Sequence, residues 1–313
     1  MVCVTKDVQK SRLLRFGVYV GAYFGLWTLF SLLLRRLYAF DASEAVSALV
    51  ILGLIFPLLS LLATRRVPTL PYAVLRPGLE SAILVAYLAV VAVVLVRGFG
   101  GVARITTEPL HTVTELGLKL AIFVVPGAMF LVSGYKINEL APVSLTRPAL
   151  RPALWMSLAV LLMQSFLGRG LHDIRQAHLS VWVLAVAAPL SFAWLLIEVG
   201  VVEEFFFRVL LQERLAALLQ SSWGGLVLAA LLFGLVHAPG FYLRTAATQE
   251  SIGPHPSLLM AVGYSIVMTS LASLFVGVLW MRTKNFAVVV IVHAAGDFLP
   301  NLVPWVKAFH LAR

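Results

Sequence analysis

The stretch "EVGVVEEFFFRVLLQERL", Glu198 to Leu215, decides how this chain is read. Two adjacent carboxylates, Glu203 and Glu204, stand between an apolar run and three consecutive phenylalanines, and Arg208 follows one helical turn later. Around them the 313-residue sequence is 61% hydrophobic and only 12% charged, with a mean hydropathy of +0.96. A soluble domain carries about 25% charged residues. A deficit of that size along the whole length indicates a polytopic membrane protein. In such a chain a charge at a helix centre costs roughly 2.5–3.5 kcal/mol, so those that persist face a cavity or a partner.

A spanning helix needs about 20 mostly apolar residues. Candidate runs are 14–34, 45–63, 80–96, 116–133, 152–168, 179–200, 223–238, 257–281 and 285–304, with 201–219 a weaker tenth. Pro, Gly or charged residues bound each one, as in "TRRVPTLP" and "LTRPALRP". No strand-like alternation persists, and a helix satisfies its own backbone hydrogen bonds where lipid offers none. The expected fold is therefore an all-α, polytopic transmembrane helical bundle of about 8–10 spans. No internal repeat and no soluble domain is visible, and the longest polar connection lies near 239–256.

The net charge of +10 does not point to nucleic acid. The basic residues sit at the ends of apolar runs, as Arg35-Arg36, Arg65-Arg66, Arg282 and Lys284, which is the pattern of interfacial anchors. Membrane lipid is the implied surface partner. With ten crossings, the bias of loop Lys and Arg, counting Arg214 as a loop residue, puts both termini in the cytoplasm. The first run follows Lys6, Lys10, Arg12 and Arg15 and lacks a small-residue cleavage site, so it reads as a retained anchor. The single cysteine, Cys3, allows no disulfide within the chain and reads as an incidental thiol. Short loops and the absence of targeting features suggest a prokaryotic inner membrane.

The intramembrane polar residues are few. Glu204 and Arg208 are four apart and share a helix face, the acid N-terminal as an ion pair prefers. Arg208 can thus hold Glu204 charged and fixed. Glu203 is rotated about 100° from Glu204 and is free to do chemistry elsewhere. His237 ends the run "LAALLFGLVH", and His293 and Asp297 are four apart in "VVVIVHAAGDFLP". Lys119 and Glu198 read as isolated. In the ten-crossing arrangement the Glu pair, His237 and the His293–Asp297 pair fall in one layer. A carboxylate and an imidazole there can take a proton from a water as it attacks a carbonyl. A second imidazole can donate to the oxyanion that develops. Equally, two histidines with one or two carboxylates suit a divalent metal such as zinc. The residues alone do not separate these two chemistries.

"EEFFFR" (Glu203 to Arg208), "FGLVH" (Phe233 to His237) and "HAAGD" (His293 to Asp297) occur in that order on successive apolar helices. Together they resemble the E-E-x-x-x-R, F-x-x-x-H and H-x-x-x-N/D motifs of the CPBP family of intramembrane proteases. That family includes CAAX prenyl endopeptidases of the Ras-converting type and prokaryotic abortive-infection proteins. The resemblance implies an all-helical endopeptidase with its site inside the membrane near the cytoplasmic face, and covers roughly 180–305. By matching positions it implies Glu203 as general base, His237 helping to activate water, and His293 and Asp297 lining the oxyanion region. Glu204, Arg208 and Phe233 would support them. The family has been described both as metalloproteases and as metal-independent glutamate proteases. The second is preferred here, with no cofactor, while an acceptor-only Asp297 keeps a metal open.

There is no H-E-x-x-H and no G-x-S-G, so site-two zinc and rhomboid-like serine chemistry are unsupported. The expected organisation is 1–150 as N-terminal transmembrane helices of unread function and 151–313 as the protease core. The expected partner is a membrane-tethered or hydrophobic polypeptide cut near its C-terminus, prenylated or not. Oligomeric state leaves no signature. The rival readings are a proton-coupled transporter, in which the acids and His237 form a relay, and a non-proteolytic immunity or chaperone-like member of the family. A transporter commonly shows internal symmetry, which is absent here.

Overall fold

The computed structural model describes residues 6–102, 104–243 and 252–311, and among them there is helix and no strand. Cys3 and residues 244–251 of the 239–256 connection, Arg244 among them, lie outside the described residues. Nine described helices are long and apolar enough to cross a membrane: Leu13–Tyr38, Ala42–Thr64, Pro77–Val102, Leu110–Val132, Arg147–Leu167, Val181–Leu218, Ser222–Tyr242, Leu258–Thr283 and Phe286–Ala308. The chain is therefore an all-α, multi-pass membrane protein. Where the sequence suggests two segments, 179–200 and 201–219, the structure has one helical run of 38 residues. That is well beyond the ~20 residues that one crossing of hydrocarbon needs.

The run stays helical across Val201 by widening. Leu196–Val201 and Phe205–Gln212 are π-helical, and the single α-turn Val202–Glu204 lies between them. Two further π-helical segments are Leu49–Ile55 and Ser265–Thr269. An i→i+5 ladder leaves carbonyls poorly served, and such segments gather at functional sites. Side chains from elsewhere supply donors. Tyr72 Oη donates to the Val209 carbonyl at 2.6 Å, and Trp27 Nε1 donates to the Val267 carbonyl at 3.0 Å.

Two compact units interleave along the chain, each drawing on residues from both sides of 150. One comprises Met1–Leu58, Ala73–Arg97 and Leu210–Met281; the other comprises Leu59–Tyr72, Gly98–Val209 and Arg282–Arg313. The first unit contains a buried polar network that hydropathy does not reveal. Arg214 is fully buried, with Nε bonded to Glu80 Oε2 at 3.0 Å and Nη1 to the Leu210 carbonyl. Beside it Trp280 Nε1 donates to Glu213 Oε1 at 2.9 Å. Arg214 is thus a core cation rather than the loop residue that its sequence position suggests. The network is invisible in sequence because Glu80 and Arg214 are 134 residues apart.

The second unit is organised on Phe286–Ala308, which packs against Arg147–Leu167 and Val181–Val201. Its apolar contacts are Leu195, Val199 and Ala294, with Phe192 and Phe298 against them. Gly200 lets the two helices close together, since a Cβ there would lie 2.8 Å from the Val290 carbonyl oxygen. The three phenylalanines are buried against protein. Phe206 and Phe207 pack on Phe123, and Phe205 packs on Phe286.

Removing one partner of a buried ion pair strands the other charge, at a cost of about 3–5 kcal/mol. Arg214→Ala should therefore lower the unfolding temperature in detergent sharply, and the Glu80→Ala/Arg214→Ala double variant should recover part of the loss. Equal or additive losses would show that the two groups do not act as a pair.

Candidate active site

The site begins with Glu204. It is fully buried, and each of its carboxylate oxygens has a partner. Oε2 accepts from Arg208 Nε at 2.7 Å, and Oε1 accepts from His293 Nδ1 at 2.7 Å. Arg208 is itself fully buried. The i,i+4 pair read from the sequence thus forms, although the helix between its members is π-helical. What the sequence does not reveal is the second half of the bridge, to a histidine 89 residues away.

Because Nδ1 donates to a carboxylate, Nε2 of His293 is the nitrogen presented to the rest of the site. Glu203 Oε2 lies 3.9 Å from it and Asp297 Oδ2 lies 3.8 Å from it. These separations are too long for direct hydrogen bonds but short enough for charge interaction. The two adjacent glutamates therefore do not serve separate places. Their 100° offset lets them straddle one imidazole, Glu204 on one nitrogen and Glu203 toward the other. Glu203 is buried, whereas the Asp297 side chain is 39% exposed. Glu203, Glu204, Arg208, His293 and Asp297 all belong to the second unit.

His237 belongs to the first unit, on Ser222–Tyr242. Its Nδ1 donates to the Phe233 carbonyl oxygen at 2.7 Å, and its ring packs on the Phe233 ring with centroids 4.7 Å apart. In the neutral imidazole this makes Nε2 the acceptor nitrogen, the form that a proton acceptor needs. The four-residue spacing of Phe233 and His237 is thus a local device that fixes the tautomer and the ring plane.

Two features near the site are missing from the sequence reading. Lys119 and Glu198 are not isolated: Lys119 Nζ bonds Glu198 Oε1 at 2.8 Å and lies 3.3 Å from Glu115 Oε1. Trp194 Nε1 donates to Glu198 Oε2 at 2.5 Å. This cluster ties Leu110–Phe123, which also packs against Val202–Glu204, to the run that carries the motif glutamates. Each member looks solitary in sequence because Lys119 and Glu198 are 79 residues apart. The other feature is Gln164, whose amide donates to the Gly296 carbonyl beside Asp297. A lone glutamine in "SLAVLLMQSFL" was its only sequence signal.

Residues 184–299 match the family described as Rce1-like, Type II CAAX prenyl endopeptidase Rce1-like. The match contains all three motifs, and the resemblance drawn from them is borne out over that stretch. Over that stretch the chain is similar to CAAX-type prenyl endopeptidases. No curated protein and no solved structure matches the chain.

The Glu204 bridge carries a specific expectation. Glu204→Gln keeps the shape but replaces a charged double acceptor with one amide oxygen and one donor, leaving Arg208 without its buried counter-charge. Unfolding free energy should fall by about 3–5 kcal/mol. Peptide cleavage should drop at least a hundredfold in the fraction that stays folded. Thermal unfolding and turnover of the same purified sample would check both, and unchanged values would remove Glu204 from its bridging role.

Proposed function

We propose that this protein is an endopeptidase that works within the membrane. It hydrolyses a peptide bond near the C-terminus of a membrane-tethered or hydrophobic polypeptide, with prenylated CAAX-type chains as the leading substrate class. The observation that carries this reading is the orientation of His293. Glu204 fixes one ring nitrogen, and the other is aimed at a second buried carboxylate, Glu203. A merely structural histidine would not need two acids at its two nitrogens.

In this reading Glu203 is the general base and His237 assists it in activating water. The water oxygen bonds to the carbonyl carbon while its proton passes to Glu203. The carbonyl oxygen becomes an oxyanion. His293 can donate to that oxyanion only as an imidazolium, because Nδ1 is already spent on Glu204. Asp297, at 3.8 Å, supplies the counter-charge for that form once Glu203 has taken the proton. Asp297 then serves as an acceptor, which suits a carboxylate. The proton held by Glu203 passes to the leaving nitrogen, the C–N bond breaks, and a carboxylic acid and an amine depart. His237 enters this scheme through its motif and its fixed tautomer.

The preferred reaction uses no metal: Glu204 is held by Arg208 and His293, and Glu203 is left to take the proton of a water. A prokaryotic inner membrane, with the site toward the cytoplasmic side, completes the proposal.

Glu203→Gln should insert and fold normally and lose at least a thousandfold in turnover of a prenylated CAAX-type peptide. His237→Ala should lose about a hundredfold, within the usual range for a proton-transfer partner. Full activity of Glu203→Gln would defeat the mechanism. Asp297→Asn should keep the fold and lose the counter-charge, lowering kcat more than it raises KM.

A further inference from the structure

Gln164 is not a motif residue, yet it bonds the backbone of the third motif. It lies on Arg147–Leu167, the helix packed along Phe286–Ala308. Its amide nitrogen donates to the carbonyl oxygen of Gly296, which lies between His293 and Asp297 in the sequence. Its Oε1 is buried and accepts no hydrogen bond among the described residues. The neighbouring helix is bare at this point. A Cβ built on Gly296 would meet only Val160 Cγ1, at 3.9 Å, and Val160 is four residues before Gln164 on the same helix face.

A carboxamide pinned through its N–H with its oxygen buried and unserved is a strong unused acceptor. Within a membrane, water does not offset that deficit cheaply. Its complement is equally specific. A polypeptide cut inside the membrane must be extended at the scissile bond, and an extended segment loses its i→i−4 hydrogen bonds. Its main-chain N–H groups then need acceptors. A helix-breaking substrate brings the donor that Gln164 lacks.

We propose that Gln164 is a substrate-binding residue whose Oε1 accepts a main-chain N–H of the substrate next to the scissile bond. It holds the extended peptide against the His293–Asp297 turn. This rests on the hydrolytic reading above. It adds a main-chain recognition point contributed by a helix outside the matched segment 184–299.

The test is a cycle between enzyme and substrate. The probe is a prenylated CAAX-type peptide with a fluorophore and quencher across the scissile bond, together with analogues carrying one backbone N-methyl group each. In the wild type, one analogue should lose roughly tenfold in kcat/KM, the worth of one such hydrogen bond. Gln164→Leu should lose a similar factor on the parent peptide, and that same N-methyl group should cost this variant nothing more. If Gln164→Leu does not fold, Gln164→Met carries the same cycle. Penalties that multiply at every N-methyl position would overturn the proposal, leaving Gln164 as a helix-packing residue. Glu203→Gln is run alongside. Its full activity would overturn the assignment of the base, while the cycle still reports on contact between Gln164 and the peptide.

Discussion

The structure around the motif residues depends on one carboxylate serving two cations or donors at once in a place without water. Glu204 has no exposed surface, so neither it nor Arg208 could be there alone. Burying an ion pair is tolerable only when the geometry is good and the remaining valences are met. Here the second valence is met by His293, brought from a different helix. The bridge fixes a tautomer, and the tautomer decides which nitrogen faces Glu203 and Asp297. A chain of two short contacts thereby turns a packing requirement into a chemical orientation.

Helix geometry sustains that bridge. Gly200 allows the run carrying the glutamates to approach the helix carrying His293 closely enough for a 2.7 Å contact a turn later. The π-helical segments on either side of Val202–Glu204 keep the run continuous while shifting the phase of its apolar face. Phe206 and Phe207 then fill the interior against Phe123. Lys119, Glu115, Glu198 and Trp194 fasten the neighbouring helix to the same run. A membrane interior makes each of these polar contacts stronger when made and more costly when missing, which is why these polar groups occur together.

The N-terminal half is more than a passive anchor. Lys119 and Gln164 both precede the segment that matches the peptidase family, and both reach the elements that carry its motifs. In the first unit Glu80 does the same for Arg214. Placing every charged residue by hydropathy alone treats these groups as loop or stray residues. Contact shows them as partners.

The sequence by itself determined the class of fold, because apolar runs of about 20 residues in lipid leave helix as the available backbone solution. It also determined the local pairs, Glu204 with Arg208 and His293 with Asp297, because i,i+4 spacing acts through one turn of one helix. Tertiary structure alone decided that 179–200 and 201–219 are one run, since the π-helical turns that bridge Val201 have no signature in composition. It alone decided that both motif glutamates address a single imidazole, that Lys119 belongs to Glu198, and that Arg214 belongs to Glu80. Those contacts join residues dozens of positions apart. They depend on how closely helices pack, which a glycine permits and a pattern of apolar residues does not specify.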